Sequence, residues 1–395
     1  DVTNDNDLVL VATRAAGGYS AAATTGGAVI SDNEDAALDT LSAIRATATG
    51  DVKTLLDTLD GYTAAQIDVA AEQLSPESVA SSTPAAGMIA ATAYVGGVQG
   101  HTSTMRKNAS AMKAAPMGPA GPTAAAIDGI GVWADAYGTW GDQDKRDGKM
   151  GYEWDTYGAV VGIDKVFGNT LVGLSFGYSD TDVDADKFTE TDIDTYNLGI
   201  YATHSMGALW LDGGFSYAWG DIESKRKVNF LNRVASSDTD SDTWTLYGGV
   251  GYDYVTGNWT LTPSVMLSYS DYDQDDYTEK GALGANLSVS DYDQDSFTST
   301  LGVDVAYQIQ KNLKATFKAA WVHEYCDNQS VIKSKFAGAQ TFKTKGLDPS
   351  DDSGIFGVGL EGEVSEGITA YIDYNYELKE DFDAHNVTAG MRFDF

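Results

Sequence analysis

The side chains in this sequence that could do chemistry are overwhelmingly carboxylates: 58 Asp and Glu stand against 25 Lys and Arg, for a net charge of −33. Asp180, Asp182, Asp184 and Asp186 alternate, and Ser270-Asp271-Tyr272-Asp273-Gln274-Asp275 recurs as Ser290-Asp291-Tyr292-Asp293-Gln294-Asp295. Oxygen-rich clusters suit calcium. Alternation on an extended chain, however, aims these carboxylates along one face with no glycine turn to wrap an ion, so they read as solvated strand ends. His323-Glu324 is half of a zinc-protease motif, yet no second His follows four residues on, and His101, His204 and His385 fall in unrelated contexts. Ser20 lacks a G-x-S-x-G elbow, and neither a serine triad nor a glycine-rich phosphate loop occurs. Cys326 stands alone, which excludes an intramolecular disulfide and a cysteine-based zinc site. The acidic balance argues against nucleic acid, because nothing would neutralise phosphate. The expectation is a chain without an enzymatic site, metal or cofactor.

What positions the carboxylates is a long run of period-two segments. Residues 1–128 carry 14 acids and 6 bases, so most of the negative charge lies beyond them, where the alternation begins. Tyr157, Ala159, Val161 and Ile163 alternate with small or polar residues, and so do Val172, Leu174, Phe176 and Tyr178. Counting Val132–Trp140 and the last segment, twelve such strands follow one another. The last has His385, Val387, Ala389, Met391, Phe393 and Phe395 on one face. A terminal strand with that face is an exposed edge unless another strand pairs with it, and a closed barrel removes the edge. Tight turns at Phe167-Gly168-Asn169, Ser205-Met206-Gly207, Thr256-Gly257-Asn258, Gln310-Lys311-Asn312 and Ser365-Glu366-Gly367 alternate with long acidic connections. This is the pattern of an antiparallel transmembrane barrel, with apolar residues to lipid and polar ones to the lumen. Mean hydropathy is only −0.24, as expected when every second side chain faces lipid.

Ahead of the strands, residues 1–35 show no sustained period and read as a linker or passenger remnant. Leu38, Leu41 and Ile44, then Leu55, Leu56 and Leu59, mark two short amphipathic helices, and Thr63 caps a third carrying Ile67, Ala70, Ala71 and Leu74. Residues 87–113 are free of Pro and crowded with Ala, Gly, Ser and Thr. They predict a helix of about 40 Å, slim enough to sit in a lumen and long enough to traverse it. Pro116, Pro119 and Pro122 end it. The division expected is 1–35 linker, 36–128 helical segment with a Pro-rich spacer, and 129–395 barrel. Strand parity turns Asp135, Asp164, Asp212, Asp253, Asp304, Glu361 and Asp373 inward. Opposite charges in a confined lumen attract, so Arg106 and Lys107 are expected to meet Asp135, Asp164, Asp253, Asp304 and Asp373. The alternative is that these carboxylates merely line water.

The stretch Val132-Trp133-Ala134-Asp135-Ala136-Tyr137-Gly138-Thr139-Trp140-Gly141 and the fragments Leu174-Ser175-Phe176-Gly177-Tyr178-Ser179, Asp212-Gly213-Gly214-Phe215-Ser216-Tyr217 and Trp321-Val322-His323-Glu324-Tyr325 closely resemble, in colinear order, the translocator domain of autotransporters of the type V secretion class. Ala71-Glu72-Gln73-Leu74-Ser75-Pro76-Glu77 is similar to the helical segment that precedes such barrels. The resemblance implies an outer-membrane translocator that delivers an N-terminal passenger to the cell surface and is then plugged by its helix. It also implies Phe393 and Phe395 as the C-terminal assembly signal and Asn108 as a candidate self-cleavage site. Implied partners are outer-membrane lipid and lipopolysaccharide, the barrel-assembly machinery and the chain's own passenger, around a monomer. The chain opens at Asp1 without a signal sequence and is expected to be a mature fragment. Rival readings are a passive porin-like channel, or the anchor of a surface adhesin or enzyme.

Overall fold

A computed structural model describes residues 18–114, 130–185 and 188–394, the side chains of 107–114 excepted. Twelve antiparallel strands close into one ring. They are β1 (Ile130–Gln143), β2 (Tyr152–Phe167), β3 (Thr170–Ala185), β4 (Thr189–Met206), β5 (Leu209–Val228) and β6 (Arg233–Tyr252), which β7 (Tyr254–Thr256) continues past Asp253, then β8 (Trp259–Gln274). The connection carrying β9 (Tyr277–Thr278) and β10 (Leu287–Val289) leads to β11 (Tyr292–Gln310) and β12 (Leu313–Glu324). A second long connection with β13 (Val331–Phe336) and β14 (Phe342–Lys345) leads to β15 (Asp352–Ser365), β16 (Ile368–Lys379) and β17 (Phe382–Asp394). Closure is made where β17 pairs with β1, Phe393 opposite Val132 and Phe382 opposite Gln143. The final strand therefore has no free edge.

The outer surface is apolar. Val172, Leu174, Phe176 and Tyr178 are exposed while Gly173, Ser175 and Gly177 between them are buried. Aromatics form two outward belts: Phe167, Tyr252, Tyr254 and Trp259 near the tight turns, and Tyr157, Tyr178, Tyr196 and Trp219 toward the other end. Tyr157 and Phe167 are ten residues apart on β2, which at ~3.3 Å per residue and a tilt near 45° separates the belts by about 23 Å, close to the height of the lipid-facing band of such barrels. Gly168, Gly207, Gly257 and Gly367 take φ of 62°, 73°, 58° and 73° in four of the tight turns, a region that favours residues without Cβ.

The opposite end is covered. Helices α1 (Gly18–Thr25), α2 (Asp32–Ile44), α3 (Gly50–Asp60) and α4 (Ala64–Leu74) pack with the sheet β14-β13-β10-β9. Leu38, Leu41, Leu55, Leu59 and Ile67 share a core there with Leu287, Ile332 and Phe336. Ser31 and Thr63 begin α2 and α4 as capping boxes with Glu34 and Gln66. Arg226 at the β5 tip fixes this cap to the barrel. It pairs with Glu279 at 2.5 Å and donates to the backbone carbonyls of Gln73 and Ala285.

Residues 18–35, expected to belong to a linker or passenger remnant, form α1 and the first turn of α2, with Tyr19 fully buried and its hydroxyl donating to Asp60 at 2.8 Å. An eight-residue helix has too little local stability to announce itself, and tertiary packing supplies the rest. The long helix α5 runs from Glu77 to Ala114, ten residues earlier than the Gly87 start expected, with Pro84 inside it. Proline withholds the N–H that the Ala80 carbonyl would accept. The Ser330 hydroxyl donates to that carbonyl instead, so the barrel's own loop repairs the helix.

Candidate functional site: the barrel lumen

α5 threads the lumen with a fixed polarity. At its first turn Glu77 accepts from the Met150 N–H at 3.2 Å, in the long β1–β2 loop, and Ser78 Oγ lies 2.6 Å from Thr189 Oγ1. At its other end Arg106 meets Asp212, just past the tight turn that opens β5. The segment preceding α5 thus emerges at the long-loop end and the segment following it at the tight-turn end.

The helix does not run along the barrel axis; it leans on one wall. Tyr94 occupies the space beside Gly177 and Gly199, where a Cβ would stand 2.5 Å from its ring or hydroxyl, and its OH lies 2.6 Å from Ser175 Oγ. Two glycines on β3 and β4 are the seat for that ring. Lower down, His101 is stacked on Trp133 of β1 at 4.2 Å and hydrogen-bonds Asp164 of β2 at 2.7 Å. Arg392 of β17 donates to both oxygens of Asp164 at 2.7 Å, and Tyr201 of β4 donates to Asp164 at 3.1 Å. Trp133 lies flat because Gly162 opposite it has no side chain; a Cβ there would come within 2.3 Å of the indole. This cluster joins the helix to the first and last strands, at the seam where the barrel closes.

Of the carboxylates that strand parity turns inward, Asp212 is the described partner of Arg106. Arg106 pairs with Asp212 at 2.5 Å, their side chains 8% and 0% exposed, and its guanidinium lies over the Trp210 ring at 3.9 Å. Thr102 donates to the same carboxylate at 2.9 Å. None of Asp135, Asp164, Asp253, Asp304 and Asp373 takes that role: Asp164 is engaged by His101 and Arg392, Asp135 accepts from Tyr371, and Asp253 accepts from Thr262 at 2.9 Å. Asp304 and Asp373 lie on the far wall of the lumen, where Asp373 accepts from the Thr316 hydroxyl at 3.4 Å. Alternation says whether a side chain points inward, not at which bearing around the ring, and α5 lies on the β2–β5 side. His101 was weighed only as a metal ligand; nothing in its neighbours along the chain signals the stacking. Phe393 is on the outward face opposite Val132 and Ile368. The side chains of Lys107 and Asn108, and all of Phe395, lie outside the described residues.

No described helix is long and apolar enough to cross a membrane. The family model for the autotransporter beta-domain matches residues 132–375. The chain belongs to the autotransporter family. Among curated relatives, an extracellular serine protease of Serratia marcescens is 27% identical over 278 residues, which are 68% of this chain and 26% of that protein. Outer membrane protein B of Rickettsia rickettsii is 25% identical, over 68% of this chain and 18% of that one. The autotransporter chain thus spans about a quarter or less of these relatives. Among solved structures, the translocator domain of NalP from Neisseria meningitidis aligns with a TM-score of 0.58 at 17% identity, over 78% of this chain and all of that one. The transport unit of AIDA-I from Escherichia coli aligns with a TM-score of 0.54 at 15% identity, over 67% of this chain and 90% of that one. The autotransporter barrel is a protein of the bacterial outer membrane.

Proposed function

We propose that this autotransporter barrel delivers whatever precedes α5 to the cell surface and then retains α5 as its plug. The observation that carries this reading is the polarity of the helix. Short turns of outer-membrane barrels face the periplasm and long loops the outside, so Glu77 is external and Ala114 periplasmic, the arrangement left after the N-terminal side has passed outward. The helical cap at residues 18–74 then sits outside the cell. The barrel itself carries out no bond-making; a protease or esterase activity of the kind some relatives are named for would belong to a passenger. Assembly machinery reading Phe393 and Phe395, lipopolysaccharide around the outer aromatic belt, a monomeric state and chain cleavage at Asn108 complete the proposal. A small epitope inserted before α1 should be labelled on intact cells, and one in the Gly257-Asn258 turn only after permeabilisation. Surface labelling at the turn but not before α1 would reverse the topology and sink the reading.

A further inference from the structure

The sheet of the cap has two faces. On one, Leu287, Ile332, Phe336 and Phe342 enter the core shared with α1–α4. The other is turned away from that core and carries Lys333 and Lys335 on β13 and Lys343 and Lys345 on β14, all exposed. The remaining side chains on this face of the four strands are Thr278, Ser288 and Val331. In a chain with 58 carboxylates against 25 Lys and Arg, the face gathers four lysines and no acid. None of the four makes an ion pair among the described residues, whereas Lys225 and Lys227 on β5 stand beside Asp192 and Glu190.

Strand register sets the lysines in a strip. Lys333 lies directly opposite Lys343, Lys345 opposite Val331, and Lys335 opposite Ser288 of β10. From Lys345 to Lys335 the strip runs four residues along the strands and one strand across, about 14 Å. The Ser288 and Thr278 hydroxyls, 3.1 Å apart, continue it over β10 and β9. Like charges directly opposite one another destabilise a sheet, so packing does not favour the Lys333–Lys343 pair. Lysines do guard edge strands against unwanted pairing, and β14 is an edge, but Lys333 and Lys335 stand on β13, which has a neighbour on each side. Charges more than about 8 Å away are largely screened at physiological salt, so the strip presents a positive field locally on a chain of net charge −33.

The chemistry of the face decides what fits it. It has no aromatic side chain and a single apolar one, so it lacks the apolar centre of a protein interface and the stacking platform of a single-strand nucleic-acid site. Ammonium groups beside hydroxyls suit a linear polymer that carries both anions and hydroxyls. Their close spacing matches a chain with several anions per disaccharide, which sulfation supplies. We propose that the outward face of the cap sheet binds a sulfated polysaccharide; its exposure at the cell surface rests on the topology proposed above.

The test is calorimetric titration of the purified full chain in detergent, with heparin as the probe. Binding is expected, and it should weaken steeply as KCl rises, because each ammonium contact releases a counterion. Lys333→Ser with Lys343→Ser removes a repulsive pair, should keep the heat-modifiable fold, and should weaken binding on the order of tenfold. Lys225→Ser with Lys227→Ser removes the same net charge elsewhere and should stay within about twofold of the parent. Hyaluronan, which is unsulfated, should bind far more weakly than heparin. Absence of heparin binding, unaltered affinity in the Lys333 and Lys343 variant, equal losses in both double variants, or hyaluronan binding as tightly as heparin would each overturn the proposal. Labelled heparin should also decorate intact cells that display the parent; bare cells, with binding by the purified protein intact, would overturn the topology and not the site.

Discussion

Replacing Arg106 by alanine would test whether a single ion pair anchors the plug. In the folded protein Asp212 has no exposed side-chain surface, and its described partners are the Arg106 guanidinium at 2.5 Å and the Thr102 hydroxyl at 2.9 Å. Truncating Arg106 leaves that carboxylate in the wall with one neutral donor. Removing one member of a buried pair costs about 3–5 kcal/mol, because the surviving charge stays desolvated, and the lost contact with Trp210 adds to it. Water in the lumen can relax toward Asp212, so the lower end of that range is the better expectation. At about 1.4 kcal/mol per tenfold, ~3 kcal/mol raises the population of helix displaced from the wall by about a hundredfold. Hydrogen exchange measured by mass spectrometry on peptides from residues 95–106 reads this directly, with peptides from β1 and β17 reporting whether the barrel has stayed intact. Arg106→Ala combined with Asp212→Asn removes the stranded charge and should recover most of the protection, leaving a deficit near 1 kcal/mol. The reasoning is refuted if exchange in Arg106→Ala stays within about threefold of the parent, or if the double variant exchanges as fast as the single one.

Two other substitutions probe how the barrel is made. Deleting Phe395, or Phe393→Ala opposite Val132 and Ile368, should lower the yield of heat-modifiable, membrane-inserted protein, and unchanged yield would remove these residues from the assembly signal. Gly162→Ala puts a Cβ about where the Trp133 indole lies; it should displace that ring from His101 and destabilise the barrel by about 1–3 kcal/mol in denaturant unfolding, with Trp133→Phe giving partial relief. An unaltered midpoint for Gly162→Ala would show that the cluster at the seam is not tightly packed.

Whatever depends on one strand or one turn at a time was legible in the sequence. Period-two alternation is a property of each extended segment by itself, so the twelve strands, their lipid-facing sides and the inward carboxylates could be read from residues such as Val172, Leu174 and Phe176 alone. The five tight turns are equally local. The partner of Arg106 was not legible, because its choice of Asp212 over Asp304 or Asp373 depends on the bearing of the helix around the ring. Tyr94 fixes that bearing by its seat beside Gly177 and Gly199, more than eighty residues along the chain. Pro84 shows the same limit from the other side. The Ala80 carbonyl that it leaves without a helical donor is served by Ser330, 250 positions beyond Ala80. The cap was hidden for a third reason: α1 and the two- to six-residue strands β9, β10, β13 and β14 are too short to be stable or periodic on their own. They exist only because closing the barrel brings its long connections together above one mouth, where their apolar side chains and those of α1–α4 can bury one another.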